Sequence, residues 1–124
     1  MDEEDLNYLA GLVDADGSMY IVANKNPESK WNYYLGAKFS ITGKDKEQYQ
    51  ERHRLMAELA EEVGASLQDH GLHDGSKSTR ASGHSALLML EALLPYLREK
   101  KEIAQTIVVP PWAYSKNGQR GQSR

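Results

Sequence analysis

Hydrophobic and polar positions change period several times along these 124 residues, and each change marks an element. Leu6, Leu9, Ala10 and Val13 recur at i, i+3, i+4 and i+7, an apolar stripe that predicts a helix to about Asp14. After Gly17 the period falls to two. Met19, Ile21 and Ala23 alternate with Ser18, Tyr20, Val22 and Asn24, which predicts a strand with one core face and one largely polar face. Residues 24–32 hold Asn, Pro, Glu, Ser and Lys and read as a turn or loop. Tyr33, Leu35, Ala37, Phe39 and Ile41 then alternate with Tyr34, Gly36, Lys38, Ser40 and Thr42, so these two strands are expected to pair as a hairpin.

The pattern then repeats. Asp45, with Gln48 three residues on, is placed to cap a helix whose buried side carries Tyr49, Met56, Leu59, Ala60 and Val63, with charged residues on the other face and Gly64 at its end. Residues 65–70 and 75–82 predict a second, more polar hairpin across turns at Gly71 and Gly75. Ser82 or His84 begins an apolar helix through Ala86, Leu87, Leu90, Leu93 and Leu94. Pro95 ends it, because the residue before proline resists the helical region. A further helix is expected from Tyr96 or Leu97 to Val109, stopped by Pro110 and Pro111. The order is helix, two strands, helix, two strands, helices: an α+β chain with a four-stranded antiparallel sheet backed by helices.

One face of that sheet has nothing predicted to cover it. The alternation assigns to it Ser18, Tyr20, Asn24, Tyr34, Lys38, Ser40, Gln68, His70, Ser78 and Arg80. A solvated polar face is common in antiparallel sheets. The same mixture of aromatic, hydroxyl, amide and cationic groups also suits the reading of base edges by strands in a major groove.

Length and composition narrow the classes. A chain of 124 residues makes one domain without room for a large internal cavity, so a self-contained pocket enzyme with a small-molecule substrate is disfavoured. The absence of cysteine excludes disulfides, thiol catalysis and cysteine-type zinc. No apolar run approaches membrane-spanning length and the acidic N-terminus is unlike a signal or transit peptide, so no membrane association is expected and a soluble protein of the cytoplasm or an organelle matrix is. The net charge of −3 is unevenly spread. Residues 1–17 carry six acidic and no basic side chains, which leaves the remainder at +3, weakly suited to phosphate contact.

The end of the first helix is wrong in sign. Asp14 and Asp16 add carboxylates at a helix C-terminus, where the dipole already supplies negative charge and cations are preferred. A positive partner is therefore required, and a divalent metal with oxygen ligands is a natural candidate. Ala10 and Gly11 are small enough to let a second helix approach. Two plainer accounts compete. An EF-hand loop counted from Asp14 needs Gly at its sixth position and Glu at its twelfth, where Met19 and Lys25 stand, and it fails. A simple C-cap, with Gly17 at positive φ, would suit D-x-D-G alone.

The full stretch Leu9–Gly17, L-A-G-L-V-D-A-D-G, resembles the signature of the LAGLIDADG homing endonucleases, with Val13 for isoleucine as the single departure. The resemblance extends over roughly residues 6–109 and implies an αββαββα domain with a saddle-like sheet. Residues 1–111 are then expected to form that domain, and 112–124, with Lys116, Arg120 and Arg124 among small polar residues, a basic flexible tail. Only one copy of the motif is present, so the resemblance implies a homodimer with the motif helices at a two-fold interface through Leu9, Ala10, Gly11, Val13 and Asp14, acting on a long, near-palindromic double-stranded DNA target.

The resemblance also assigns roles. Asp16 would bind metal, with the Ala15 carbonyl as an additional ligand; Mg2+ is the expected ion, Mn2+ an alternative, and Ca2+ should bind without supporting cleavage. Asp14 would cap the helix or pin the interface. Lys100, with Arg98 as the alternate, would act on the water network or the phosphorane charge. The second strand departs from the family: Gly43 stands where many relatives place a polar, water-orienting side chain. Thr42, Lys44 or an ordered water would have to take that role, or the site is impaired. A site-specific endonuclease is thus the first expectation, and a non-cleaving binder, an intron maturase or a transcriptional regulator, the second. Asp69, His70, His73 and Asp74 could hold a separate metal, but they surround predicted turns without helical spacing, which favours turn or DNA contact.

Overall fold

A computed structural model describes residues 1–25, 33–72 and 74–108. The first helix, α1, spans Glu3–Asp16, with the Asp2 side chain accepting from the Asp5 amide at its start. Strands β1 (Gly17–Lys25) and β2 (Tyr33–Gly43) follow, then α2 (Lys46–Val63), β3 (Gln68–Gly71), β4 (Lys77–Ser82), α3 (His84–Leu93), a single 3-10 turn at Leu94–Tyr96, and α4 (Lys101–Val108). The four strands form one antiparallel sheet in the order β1-β2-β4-β3. This is the α+β, αββαββα arrangement that the period changes predict. Among the described residues no helix is long and apolar enough to cross a membrane.

The helices cover one side of the sheet. Leu9, Ala10 and Val13 of α1 meet Ala37, Phe39 and Ile41 of β2, Ala81 of β4, and the apolar faces of α2 and α3 in a single core. Capping follows the expected chemistry for α2: the Asp45 carboxylate accepts from the Gln48 amide at 2.8 Å, and Gly64 ends the helix in the left-handed region.

Four local expectations change. The first helix runs two residues beyond Asp14, so Asp16 is its last residue. The second hairpin is shorter than its sequence pattern. The last helix starts at Lys101 rather than at Tyr96 or Leu97, because Leu97 turns extended to bury its side chain and the amides of Arg98 and Lys100 are held elsewhere, as described below. The face of α2 taken as apolar includes a cation, Arg52, only 7 % exposed. The loop 26–32, His73 and the expected tail at 112–124 lie outside the described residues.

Two glycines exist for room rather than for backbone freedom. Gly17 has an ordinary φ of −77°, not the positive φ of a C-cap glycine, but a Cβ there would lie 2.8 Å from the Val13 carbonyl oxygen. A Cβ on Gly43 would meet the Tyr49 amide nitrogen at 2.5 Å and its Cβ at 2.7 Å, because the first turns of α2 cross directly over the end of β2. Gly43→Ala is therefore expected to lower stability by about 1–3 kcal/mol, as overpacking does. Gly36→Ala, where an added Cβ meets nothing within 4 Å among the described residues, should stay within about 0.5 kcal/mol. Urea unfolding of the two variants beside wild type checks both.

Candidate nucleic-acid interface and carboxylate site

Register turns the alternation of the strands into rows on the uncovered face. Ser18 pairs with Ser40, Ser40 with Arg80, and Arg80 with Gln68, so one row crosses all four strands. A second row joins Tyr20, Lys38 and Ser82, and a third Thr42, Ser78 and His70. Directly opposed residues share a face, so the strands bring the sequence-selected set together. Tyr20 is 53 % exposed, Ser18, Gln68 and His70 are exposed, and Lys38, Ser40 and Arg80 are half-buried. Asn24 and Tyr34 oppose one another in the ladder, and their side chains lie outside the described residues.

Ser78 does not belong with the accessible set. It is 2 % exposed, and its hydroxyl accepts from Arg80 Nε at 3.0 Å. Its effect is to hold one edge of the Arg80 guanidinium, and among the described residues the forked end makes no hydrogen bond. Ser82, which the alternation did not select, does join the face, accepting from Lys38 Nζ at 3.2 Å.

At one end of this face lies the C-terminus of α1. Asp14 is turned inward to the start of α4: its two oxygens accept the backbone amides of Arg98 (2.8 Å) and Lys100 (2.9 Å). Lys100 is the residue whose carbonyl takes the first α4 bond, from Ala104. The carboxylate thus caps the positive end of α4, where negative charge is stabilising. In return, Lys100 Nζ donates to the Asp14 carbonyl at 2.6 Å, placing a cation at the negative end of α1. Asp14 caps a helix, but it is another helix than its own. Arg98 contributes its amide, while its side chain is exposed.

Asp16 points the other way. Its side chain is half exposed, and Oδ2 lies 2.9 Å from Nη2 of Arg52, whose side chain is 9 % exposed. Nη1 of Arg52 donates to the Thr42 carbonyl at 2.6 Å. Sequence reading missed Arg52, which sits at a helical position between apolar neighbours; its only signal was a charge on the buried stripe of α2.

The motif residues divide between two surfaces. Leu9, Ala10 and Val13 are fully buried in the chain's own core, so their side chains are not on offer to a second chain. The outer face of α1 carries Tyr8, Gly11 and Ala15, exposed, and Leu12, half-buried. The reason is the 3.6-residue period: positions that satisfy the sheet cannot also face away from it.

Among the described residues no group of three or more His, Asp or Glu could hold a metal. The hard-oxygen donor present is Asp16, and a single carboxylate fits Mg2+, which keeps waters and takes substrate phosphate oxygens as ligands. The alternative cluster near the second hairpin falls apart on the strand period. His70 faces the open side opposite Ser78, whereas Asp69 faces α2, 3.2 Å from His53 Nδ1. There Asp69, Thr79 and His53 join the edge of the sheet to α2, and burial, with the hydrogen bond to and charge of Asp69, raises the Tyr49 phenol above its ordinary pKa.

A sequence model described as LAGLIDADG endonuclease matches residues 9–106. Among solved structures, the homing endonuclease I-CvuI in complex with its target in the presence of Ca is 23 % identical, with a TM-score of 0.66 over 87 % of this chain and 68 % of that one. The group I intron-encoded homing endonuclease I-CeuI complexed with DNA is 14 % identical, TM-score 0.64, over 94 % and 57 %. The archaeal intron-encoded I-Vdi141I complexed with DNA is 18 % identical, TM-score 0.57, over 96 % and 88 %. At these identities the likeness is one of fold. No curated protein matches the chain.

Asp14→Ala should cost about 1–2 kcal/mol through loss of the α4 cap, and Asp14→Asn less, since one amide acceptor survives. Chemical unfolding measures both.

Proposed function

The chain belongs to the LAGLIDADG endonuclease family, and from that premise we propose that it is a site-specific double-strand DNA endonuclease of the homing type, acting as a homodimer with a divalent metal. The observation that carries this reading is the position of Asp16. It is a half-exposed carboxylate on the last residue of the motif helix, next in the chain to β1, whose exposed Ser18 and Tyr20 share an open sheet face with the half-buried cations Lys38 and Arg80.

Asp16, with the Ala15 carbonyl, would hold the metal, Mg2+ first and Mn2+ as an alternative. When bound, the metal supplies an activated water and charge at the phosphate. Lys100, whose ammonium is anchored on the Asp14 carbonyl, would place positive charge against the negative charge that the phosphorane develops, with Arg98 exposed nearby in the chain as the alternate. The sheet rows would enter the major groove, Arg80 with its fork aimed at a guanine and Lys38, Ser40, Gln68 and His70 beside it.

Gly11 supports the second copy. A helical glycine costs about 1 kcal/mol against alanine, yet a Cβ at Gly11 meets nothing within 4 Å among the described residues. Packing among the described residues gives no reason for it. A facing helix would, with Gly11 and Ala15 one turn apart on the exposed side of α1 and Asp16 beside them. The runner-up, a non-cleaving binder such as an intron maturase or transcriptional regulator, is favoured by Gly43 and by the acidic balance of the chain. Packing against α2 forbids a side chain where relatives are expected to orient water.

Incubating the protein with a pool of near-palindromic duplexes, in Mg2+ and in Ca2+, and sequencing cut and retained DNA tests the proposal. One enriched site, cut in Mg2+ by wild type, retained uncut in Ca2+ and by Asp16→Asn, is the expected result; specific retention with no cutting in Mg2+ would move the assignment to the non-cleaving binder. Arg80→Ala should relax discrimination at one base position per half-site by about 1–3 kcal/mol. Gly11→Leu should leave the fold intact by circular dichroism but shift sedimentation to the monomer.

A further inference from the structure

Burial of Arg52 has a consequence for Asp16 beyond packing. The guanidinium has been taken out of water on the core-facing side of α2, where an unpaired charge is strongly unfavourable. Among the described residues two groups accept from it, the Thr42 carbonyl and Asp16 Oδ2. The first fixes its position relative to β2, and the second fixes one oxygen of Asp16 relative to the guanidinium. Among the described residues Asp16 Oδ1 is left without a hydrogen bond, on a side chain that is 50 % exposed. The other cation at this helix end, Lys100, is bound to the Asp14 carbonyl rather than to Asp16.

A carboxylate in this state has its orientation set and its charge balanced. A dication arriving at Oδ1 meets a site of no net charge, with a fixed cation on the other oxygen. We propose that Arg52 is a positioning residue for Asp16 that makes divalent-cation loading conditional on DNA. In the free protein the guanidinium opposes the ion; with DNA in place the phosphates restore the missing negative charge and supply ligands. The inference rests on Asp16 as the metal ligand of the proposed function. Linkage makes the effect reciprocal: if DNA raises cation affinity by some factor, the cation raises DNA affinity by the same factor.

A merely structural Arg52 would change stability and leave free-protein cation affinity alone, which separates the two roles. Ca2+, expected to bind without turnover, is titrated calorimetrically into free protein and into its complex with the best-retained duplex of the pool. Wild type, Arg52→Gln, Arg52→Lys, Asp16→Asn and the double variant are compared. Arg52→Met, an apolar replacement suited to the buried stripe, runs beside Arg52→Gln, and the variant that keeps its far-ultraviolet circular dichroism carries the test.

Removal of the guanidinium should tighten Ca2+ binding to free protein on the order of tenfold and shrink the DNA-to-Ca2+ coupling by the same factor. Arg52→Lys should restore the coupling, and adding Asp16→Asn should abolish the gain. Unchanged or weaker Ca2+ binding by the folded Arg52 variant overturns the inference while leaving Asp16 as ligand. Undiminished Ca2+ binding by the Asp16→Asn complex overturns the metal assignment itself, and the inference with it.

Discussion

The negative end of α1 is the constraint around which the rest is arranged. A helix C-terminus that also carries two carboxylates must find cations and amide donors, and two parts of the fold supply them, the segment that leads into α4 and the buried side of α2. The amides before α4 take Asp14, the Lys100 ammonium takes its carbonyl, and Arg52 of α2 takes Asp16. These contacts join α1 to α4 end to end and to α2 side by side. They also fix where the chain leaves α1, and hence where β1 begins and which way its alternating residues point.

From that starting point the sheet follows by register. Once Gly17 pairs with Ile41, Ala37, Phe39 and Ile41 turn toward the helices and Ser18, Tyr20, Lys38 and Ser40 toward the open side. A slip of one residue would exchange Phe39 and Ile41 for Lys38 and Ser40 in the core. The burial of Phe39 against the helices and the exposure of Ser18, Tyr20, Gln68 and His70 are therefore one fact seen from two sides. The open face is also organised internally: Ser78 orients Arg80, and Ser82 orients Lys38. Pre-ordered long cations lose less freedom on meeting a partner than free ones do.

The site and the core make competing demands on the same residues. Gly43 must lack a side chain because α2 crosses above it, although chemistry at that strand end would favour a polar group. Arg52 occupies a place on α2 that a hydrocarbon could fill, although a buried ion pair is rarely the more stable choice. Packing prevails at the first position. At the second, a charged group that serves the Asp16 carboxylate prevails over packing.

Much of this was legible along the chain. Period alone separated helices from strands, Asp45 and Gly64 marked the ends of α2, and alternation sorted the sheet residues by face, because these depend on local geometry and on which residues prefer water. The nonapeptide located the carboxylates, and its sign conflict with the helix dipole required a cation. Which cation, and which residues share that end, came only from tertiary structure. Asp14 meets amides some 84 and 86 positions away, Asp16 meets an arginine 36 away, and Leu9, Ala10 and Val13 were claimed by the chain's own core. Sequence spacing carries the period of a helix, but it holds no record of what lies across the fold from its end.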